Sequence, residues 1–255
     1  GVECSNCRSI NSPIIPSEQE LIDHYSRDIP YYSDALKKKS LLIDSKISRY
    51  SYRYLKLVLR FVNSGLLLDI GSANTPFPNY AAKSKFVVTS ADIAQLFNSS
   101  EVVERIQLSL NNEKVKKELI KRFDIITCFA VLEHTINPDR SIKNIANLVK
   151  SGGKIFITMP NIGEWYDWIA AGGSQWYDPP GHLHIISRKA TISLFKRHGC
   201  KIINHGVFEL NIIRFILRYG VLITEGCLGW LIKFFFPNKW QKMRNKKRSY
   251  GMGLS

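Results

Sequence analysis

An apolar run that ends in an acid and opens into a loop of small residues constrains the fold of this chain most. Residues 65–70 read GLLLDI, and GSAN follows them. A buried strand followed by a tight turn is how open α/β sheets hold an adenosine cofactor. The acid, Asp69, precedes the first glycine, Gly71, whereas a dinucleotide-binding loop begins with its glycines. This order places a carboxylate where it can meet a cationic amine, and it favours S-adenosylmethionine over NAD.

A second acid, Asp92, stands 21 residues beyond Gly71 and ends the apolar segment 86–91. That segment is typical of a second buried strand. An acid at the tip of such a strand, at an offset of roughly 20 residues, can accept hydrogen bonds from both ribose hydroxyls. The alternative is that either aspartate is a helix cap or a turn residue.

Strand and helix patterns alternate farther along the chain. Residues 123–132 form a third apolar run, which Glu133 and His134 follow. Residues 141–150 have helical spacing, and the glycine-rich stretch 151–153 is expected to end that helix before another strand. The sequence therefore predicts an α/β fold with a Rossmann-like, doubly wound and mostly parallel sheet. A helical extension, with a helix at 45–63, is expected before the sheet.

Five segments occur in a fixed order: LLLDIGSAN, the acid at Asp92, FDIITCFAVLEH, SGGKIFITMPN and GHLHIISRKATISLFKRHGCKI. Together they resemble a class I S-adenosylmethionine-dependent methyltransferase of the bacterial small-molecule and glycan subgroup related to the ubiquinone-type enzymes. The resemblance covers about residues 17–210 and implies the class I fold and S-adenosylmethionine as the cofactor. Thr75 departs from it, because the family commonly has a third small glycine there. Ser109 also departs, since many members carry an aspartate that receives the adenine amino group.

Cofactor contacts are expected where the predicted strands end at one edge of the sheet. The candidate residues are Asp69, Gly71, Ser72, Ala73, Asn74, Asp92, Ile93, Leu108, Ser109, Leu110, Cys128, Phe129 and Ala130.

Three histidines are candidates for the base that a hydroxyl acceptor requires, because neutral imidazole accepts protons at physiological pH. His134 lies beside Glu133, a pair that is common in the resembling family and serves to support the site as readily as to do chemistry. His182 and His184 lie in a loop rich in proline and glycine. Their spacing points both rings the same way if the loop is extended, which would allow paired metal ligation, although no third ligand is evident. The alternative is that one of them orders the loop.

Cysteine usage favours a reducing, cytoplasmic compartment, because five scattered cysteines do not suggest a disulfide framework. Only Cys4 and Cys7 have metal-ligand spacing, and a structural zinc site needs four ligands. In the resembling subgroup such a pair belongs to an N-terminal zinc ribbon. We therefore expect half of a zinc site here, which a longer chain with an upstream pair would complete; two free surface thiols are the alternative.

Three parts are predicted along the chain. Residues 1–40 carry the zinc-ribbon remnant, residues 41–210 bind the cofactor and include an acceptor insertion at about 162–185, and residues 211–255 form an amphipathic basic extension. That extension has an apolar stretch followed by seven cations without an acid after Glu225, within a chain of net charge +15. Charges interrupt the stretch too often for a membrane span. We expect peripheral contact with the inner face of the membrane, or else a lid or dimer surface.

Aromatic residues concentrated in the insertion suit a sugar ring or another flat ligand. We therefore expect O-methylation of a glycan or a related small polyhydroxylated acceptor, either free or lipid-linked. RNA methylation would suit the charge, but a base-reading Asn/Asp-Pro-Pro-Tyr motif is missing after the strand that precedes Glu133, so nucleic acid is not the expected partner. A non-catalytic S-adenosylmethionine-binding module is the other alternative. The oligomeric state stays open.

Overall fold

A computed structural model describes residues 1–27, 40–73, 75–94, 103–160 and 181–206. The strands in this part are β1 (Val2–Glu3), β2 (Ile10–Asn11), β3 (Gly65–Ile70), β4 (Phe86–Asp92), β5 (Glu104–Gln107), β6 (Phe123–Phe129), β7 (Val149–Thr158) and β8 (His184–Ile185). The helices are α1 (Glu18–Arg27), α2 (Ser40–Leu59), α3 (Phe77–Ala82), α4 (Pro138–Leu148) and α5 (Arg188–Arg197). Short 3-10 turns occupy Lys117–Leu119 and Leu132–His134.

The main sheet has five strands in the order β5-β4-β3-β6-β7, and every neighbouring pair is parallel. The chain builds outward from β3 through β4 to β5, and then returns to the other side of β3 to add β6 and β7. The direction in which successive strands are added therefore reverses between β3 and β6. Open α/β sheets bind ligands at this position, at the carboxyl ends of their strands. This architecture confirms the predicted doubly wound α/β fold.

Helices cover both faces of this sheet. On β3, Leu67 packs into a cluster with Val58 of α2, whereas its neighbour Leu68 packs into a separate cluster with Ile142 and Ile145 of α4. All of these side chains are fully buried. Successive strand residues point to opposite faces, so a strand buried on both sides must be apolar at nearly every position. This requirement explains the uninterrupted apolar run before Asp69.

The glycines at 152 and 153 do not separate helix from strand as expected. Helix α4 ends at Leu148, and β7 begins at once with Val149 in an extended conformation. The pairing with β6 shifts register here, from Phe123 opposite Val149 to Ile125 opposite Lys154. A Cβ on Gly153 would lie 2.6 Å from Val149 Cγ2. The glycines therefore lie in an irregularity inside β7, where Gly153 has no room for a side chain and Gly152 has a φ of +76°.

The N-terminal residues form a second, antiparallel sheet in the order β1-β2-β8. In it, Asn11 pairs with His184 and Ile10 with Ile185. Helix α1 follows and begins with a capping box, in which the Ser17 N–H donates to Glu20 Oε2 at 2.8 Å and the Glu20 N–H donates to Ser17 Oγ at 3.2 Å. The N-terminal segment is thus tied to the chain that follows the insertion.

The chain divides into two compact units. The first comprises Gly1–Asn161 and Trp176–Asn204, so it holds both sheets. The second comprises Ile162–Gln175 and His205–Ser255, and only residues 205–206 of it are described. Asn74, most of the predicted insertion and the whole C-terminal extension lie outside the described residues, so the predicted domain division stays a prediction. Within the described part, no helix is long and apolar enough to cross a membrane.

Candidate functional site at the sheet edge

The loop after β3 closely approaches the turn after β6 at the carboxyl edge of the sheet. Gly71 has a φ of +71°, and a Cβ added to it would collide with Val131 Cγ2. Its N–H donates to Ala91 O at 2.8 Å, so the loop is bound to the end of β4. Only glycine meets both demands, since other residues strain at this φ. The glycine therefore lets this loop pack directly against Val131, in the turn after β6.

Asp92 ends β4 and joins two loops. Its Oδ2 accepts from the Ala73 N–H at 2.9 Å, and its Oδ1 accepts from the Ala94 N–H at 3.1 Å. Burial raises the pKa of this carboxyl, while those backbone hydrogen bonds lower it. Each carboxylate oxygen has a further lone pair, so Asp92 can still accept from ribose hydroxyls. The structure therefore places Asp92 in a geometry that fits its predicted role.

Asp69 is a buried acid, only 3% exposed, near the end of β3. Thr127 Oγ1 donates to its Oδ1 at 2.6 Å. The pKa of Asp69 is raised to about 7, mainly by burial and also by the nearby charge of Asp92, although the Thr127 hydrogen bond lowers it. A cationic group beside it would favour the ionised form. A buried acid of this kind, next to a glycine loop, fits the amine of S-adenosylmethionine.

The loop after β5 is held in place by α4. Asn144 Nδ2 donates to Leu110 O at 3.0 Å and to Asn112 O at 2.8 Å. Ser109 Oγ accepts from the Asn111 N–H at 3.1 Å. The Ser109 hydroxyl keeps its own proton to donate. It can therefore hydrogen-bond an adenine ring, but it cannot supply the charge of the aspartate that it replaces.

The other predicted cofactor residues differ in what they offer at this edge. Cys128 is fully buried, and burial raises the pKa of its thiol well above the ordinary value, so only its backbone is available. The Phe129 ring stacks on Tyr54 with centroids 4.1 Å apart, and Ala130 is exposed with a φ of +55°. The residues that complete this set are buried or partly buried: Ser72, Ala73, Ile93 and Leu108. Sequence reasoning missed Thr127, because a threonine inside an apolar strand carries no separate signal.

A second group of polar side chains follows β6. Glu133 and His134 lie on the 3-10 turn, and His182 reaches them from the segment before β8. Glu133 Oε1 lies 3.9 Å from His134 Nε2, and the two imidazole centroids are 4.7 Å apart. One ligand atom from each of the three residues lies within 4.8 Å of the other two. We call this group the Glu133–His134–His182 cluster.

Hydrogen bonds select the tautomer of His134. Its Nδ1 lies 2.6 Å from Gly181 O and 2.8 Å from Tyr25 Oη. Because a carbonyl oxygen only accepts, Nδ1 carries the proton and Nε2 keeps its lone pair. Burial lowers the pKa of His134 to about 4. The ring is therefore neutral at physiological pH, and Nε2, which keeps the lone pair, is the nitrogen that lies 3.9 Å from Glu133 Oε1.

Glu133 is 2% exposed, and its Oε2 has no hydrogen-bond partner among the described residues. Burial raises its pKa to about 8. Its main-chain carbonyl, by contrast, has a hydrogen-bond partner, since Glu133 O accepts from the Leu183 N–H at 2.8 Å. An unsatisfied buried carboxyl is costly, and its presence at a ligand-binding edge points to a function.

His184 does not join this cluster. Its Nδ1 lies 2.9 Å from Asn11 Oδ1, and its Nε2 lies 3.3 Å from Ile136 O. Burial also lowers its pKa. His182 and His184 have different neighbours, because His182 lies beside Glu133 and His134 whereas His184 contacts Asn11 and Ile136. These contacts fit the alternative considered above, in which one histidine orders the loop, whereas Glu133 and His134 lie beside His182.

Cys4 and Cys7 lie in the loop between β1 and β2. The Cys7 thiol donates to Ser9 Oγ at 3.2 Å, and hydrogen bonding with Ser9 lowers the pKa of Cys7. Neither cysteine belongs to a group of three or more metal-binding side chains in the described ranges, where the Glu133–His134–His182 cluster is the one such group. The zinc half site therefore stays a prediction.

Comparison with known proteins agrees with this geometry. Residues 46–205 match a family described as a methyltransferase domain. The ubiquinone biosynthesis O-methyltransferase of Coxiella burnetii is 36% identical over 101 residues, an alignment that covers 37% of this chain and 43% of that protein. The enzyme of the same name from Pseudomonas putida is 29% identical over 102 residues, covering 37% and 44%. The matched stretch thus spans less than half the length of these relatives.

A solved structure with a similar fold is that of the cyclase SpnF. It aligns with 88% of this chain and 87% of its own, with a TM-score of 0.54 and 15% sequence identity. At this identity the likeness concerns the fold alone. Because that protein is described as a cyclase, the shared fold by itself does not define the reaction.

Proposed function

Because the chain belongs to the methyltransferase-domain family and has the class I fold, we propose that it transfers the methyl group of S-adenosylmethionine to a hydroxyl oxygen of a small polyhydroxylated acceptor. The observation that carries this proposal is the arrangement at the sheet edge, where Asp69, the Gly71 loop and Asp92 come together. Carboxylates at these two positions suit the amine and the ribose of the cofactor respectively.

Methyl transfer from a sulfonium needs alignment of the acceptor oxygen and exclusion of water, and bound S-adenosylmethionine would supply the methyl group. Asp92 would hold the ribose, and ionised Asp69 would attract the amine. The Gly71 loop brings the backbone close to the same ligand. Such positioning accounts for much of the rate of a bimolecular displacement.

The acceptor would lie beside the Glu133–His134–His182 cluster, which follows β6 at the same edge. The Gly181 carbonyl holds the proton on His134 Nδ1, so the Nε2 lone pair is available to take a proton from an acceptor hydroxyl. A residue that fixes the tautomer in this way orients the base before the acceptor arrives.

The names of the two relatives support oxygen as the methylated atom, since both are O-methyltransferases of ubiquinone biosynthesis. The aromatic side chains of the insertion favour a sugar ring or another flat polyhydroxylated molecule. Most of that insertion lies outside the described residues, so the preference for a glycan rests on sequence alone.

Two measurements test the proposal in sequence. Calorimetry with S-adenosylmethionine and S-adenosylhomocysteine should show one binding site on the full chain. Two panels of acceptors should then be tested by mass spectrometry. One contains sugars and lipid-linked saccharides, and the other contains hydroxylated aromatic compounds. Members of one panel should gain one methyl group. Failure to bind either cofactor form would overturn the proposal, and so would methylation confined to nitrogen or carbon acceptors.

A further inference from the structure

We propose that the Glu133–His134–His182 cluster is a binding site for a divalent transition-metal ion. Two imidazoles and one carboxylate make up a donor set that suits zinc, iron(II), cobalt(II) and manganese(II). The use of this ion in catalysis rests on the proposed function, whereas binding of the ion does not. Binding of the ion can be measured without cofactor or acceptor.

The distances support a single shared ion. Bonds of about 2.0–2.2 Å place two ligands of one ion roughly 3–4 Å apart. The distance of 3.9 Å between Glu133 Oε1 and His134 Nε2 already lies in this range, and the third ligand atom completes a group within 4.8 Å. Small rotations of the side chains are enough to close the group around an ion.

The surroundings of the ligands are those of a built metal site. A histidine that binds a metal through one nitrogen almost always donates its other N–H to a carbonyl or carboxylate, which fixes the ring. His134 does so, because its Nδ1 lies 2.6 Å from Gly181 O. The Leu183 N–H donates to Glu133 O at 2.8 Å. Both chain neighbours of His182 are therefore hydrogen-bonded to the two other ligand residues, and this arrangement holds His182 over them.

The carboxyl of Glu133 gives an independent reason. It is almost fully buried, and its Oε2 has no partner within the described part of the chain. A buried polar atom of this kind costs roughly 1–3 kcal/mol unless something satisfies it. A cation bound by the two imidazoles and by Glu133 through both carboxylate oxygens would satisfy it.

Three protein ligands leave at least one coordination position open, which is typical of catalytic rather than structural sites. An acceptor hydroxyl bound there would lose its proton more readily than a free one. In the ion-bound protein His134 Nε2 would be a ligand, so the proton-acceptor role proposed for it above would apply only to the ion-free protein.

The test uses the full chain and Zn²⁺ or Co²⁺ alone. Calorimetry should show about one equivalent bound, and the Co²⁺ form should have ligand-field absorption without a thiolate-to-cobalt band. His182→Ala and Glu133→Gln should each weaken binding at least tenfold. The exposed His205 supplies a matched control, and His205→Ala should leave binding unchanged. A Cys4→Ser, Cys7→Ser double variant should also retain the ion.

Circular dichroism and S-adenosylmethionine binding verify that each variant is folded, and they separate loss of the metal from failure of the proposed function. The spectrum of the unmodified chain decides the matter even if a variant does not fold. Absence of bound ion, or a thiolate band that disappears with the cysteine variant, would overturn the proposal. Unchanged binding in a folded His182→Ala variant would overturn it as well.

Discussion

At the scale of single residues, Asp92 connects the loops after β3 and β4, since its carboxylate accepts from the N–H groups of Ala73 and Ala94. Asp92→Ala removes these bonds together with the proposed acceptor for the ribose hydroxyls. We expect S-adenosylmethionine binding to weaken by about 1–3 kcal/mol, which is roughly 5- to 150-fold. Calorimetry measures the change, and Glu113→Ala is the control because that side chain is exposed. Unchanged affinity in the Asp92 variant would contradict the assignment.

Asp69 is expected to make cofactor affinity depend on pH, because its proposed partner is the cationic amine of the cofactor. Burial raises its pKa to about 7, so the free protein holds a proton there below pH 7 and a negative charge above it. A cationic amine binds the charged form. The affinity should therefore rise with pH, by about tenfold between pH 6 and pH 8 if the bound form requires ionised Asp69.

Binding measured at both pH values in Asp69→Asn gives the control for this prediction. That variant cannot ionise at the position, so any pH dependence left in it belongs to the cofactor or to other groups. Equal pH dependence in the variant and the unmodified chain would show that Asp69 does not interact with the amine.

At the scale of elements, the contact between the loop after β3 and the turn after β6 depends on Gly71. Gly71→Ala meets two penalties, because the residue has a positive φ and the new Cβ would collide with Val131. Gly152 has a similar φ of +76° but nothing within 4 Å of a Cβ, so it is a matched control. We expect Gly152→Ala to cost about 1 kcal/mol of unfolding free energy, and Gly71→Ala to cost about 1–3 kcal/mol more.

Urea denaturation measures both free energies of unfolding. The double variant Gly71→Ala, Val131→Ala should recover part of the extra loss in unfolding free energy. It removes the collision with Val131 but keeps the strain of the positive φ. Equal losses for Gly71→Ala and Gly152→Ala would mean that the loop can move away from Val131.

At the scale of the whole molecule, residues 211–255 are predicted to attach the enzyme to an anionic membrane surface. They combine an apolar stretch with seven cations after Glu225, and each cation near such a surface contributes about 1 kcal/mol. The full chain should sediment with anionic vesicles but not with neutral ones. Deletion of residues 237–255 should abolish sedimentation, and high salt should reduce it. Sedimentation that ignores vesicle charge would contradict this prediction; a dimer in analytical ultracentrifugation would favour the alternative of a subunit interface.

The sequence alone was sufficient to predict the sheet and the acids at its edge. A strand buried on both faces must be apolar at nearly every position, so β3, β4 and β6 appear as local runs that can be recognised without knowledge of their neighbours. The carboxyl ends of parallel strands meet at one edge, which brings Asp69 and Asp92 together once the alternation of strand and helix is known. The position of Asp69 ahead of Gly71 then favoured S-adenosylmethionine over NAD as the cofactor.

Only the tertiary structure decided which side chains surround His134. Gly181 lies 47 residues from it and Tyr25 lies 109 residues from it, and no local pattern links residues so far apart. The choice of His182 over His184 depends on where β8 begins, which is set by its pairing with β2 at the other end of the chain. The glycine irregularity in β7 depends likewise on the neighbouring strand β6. Periodicity reports which face of an element is buried, whereas the identity of the partner across that face is determined only by how the distant segments pack.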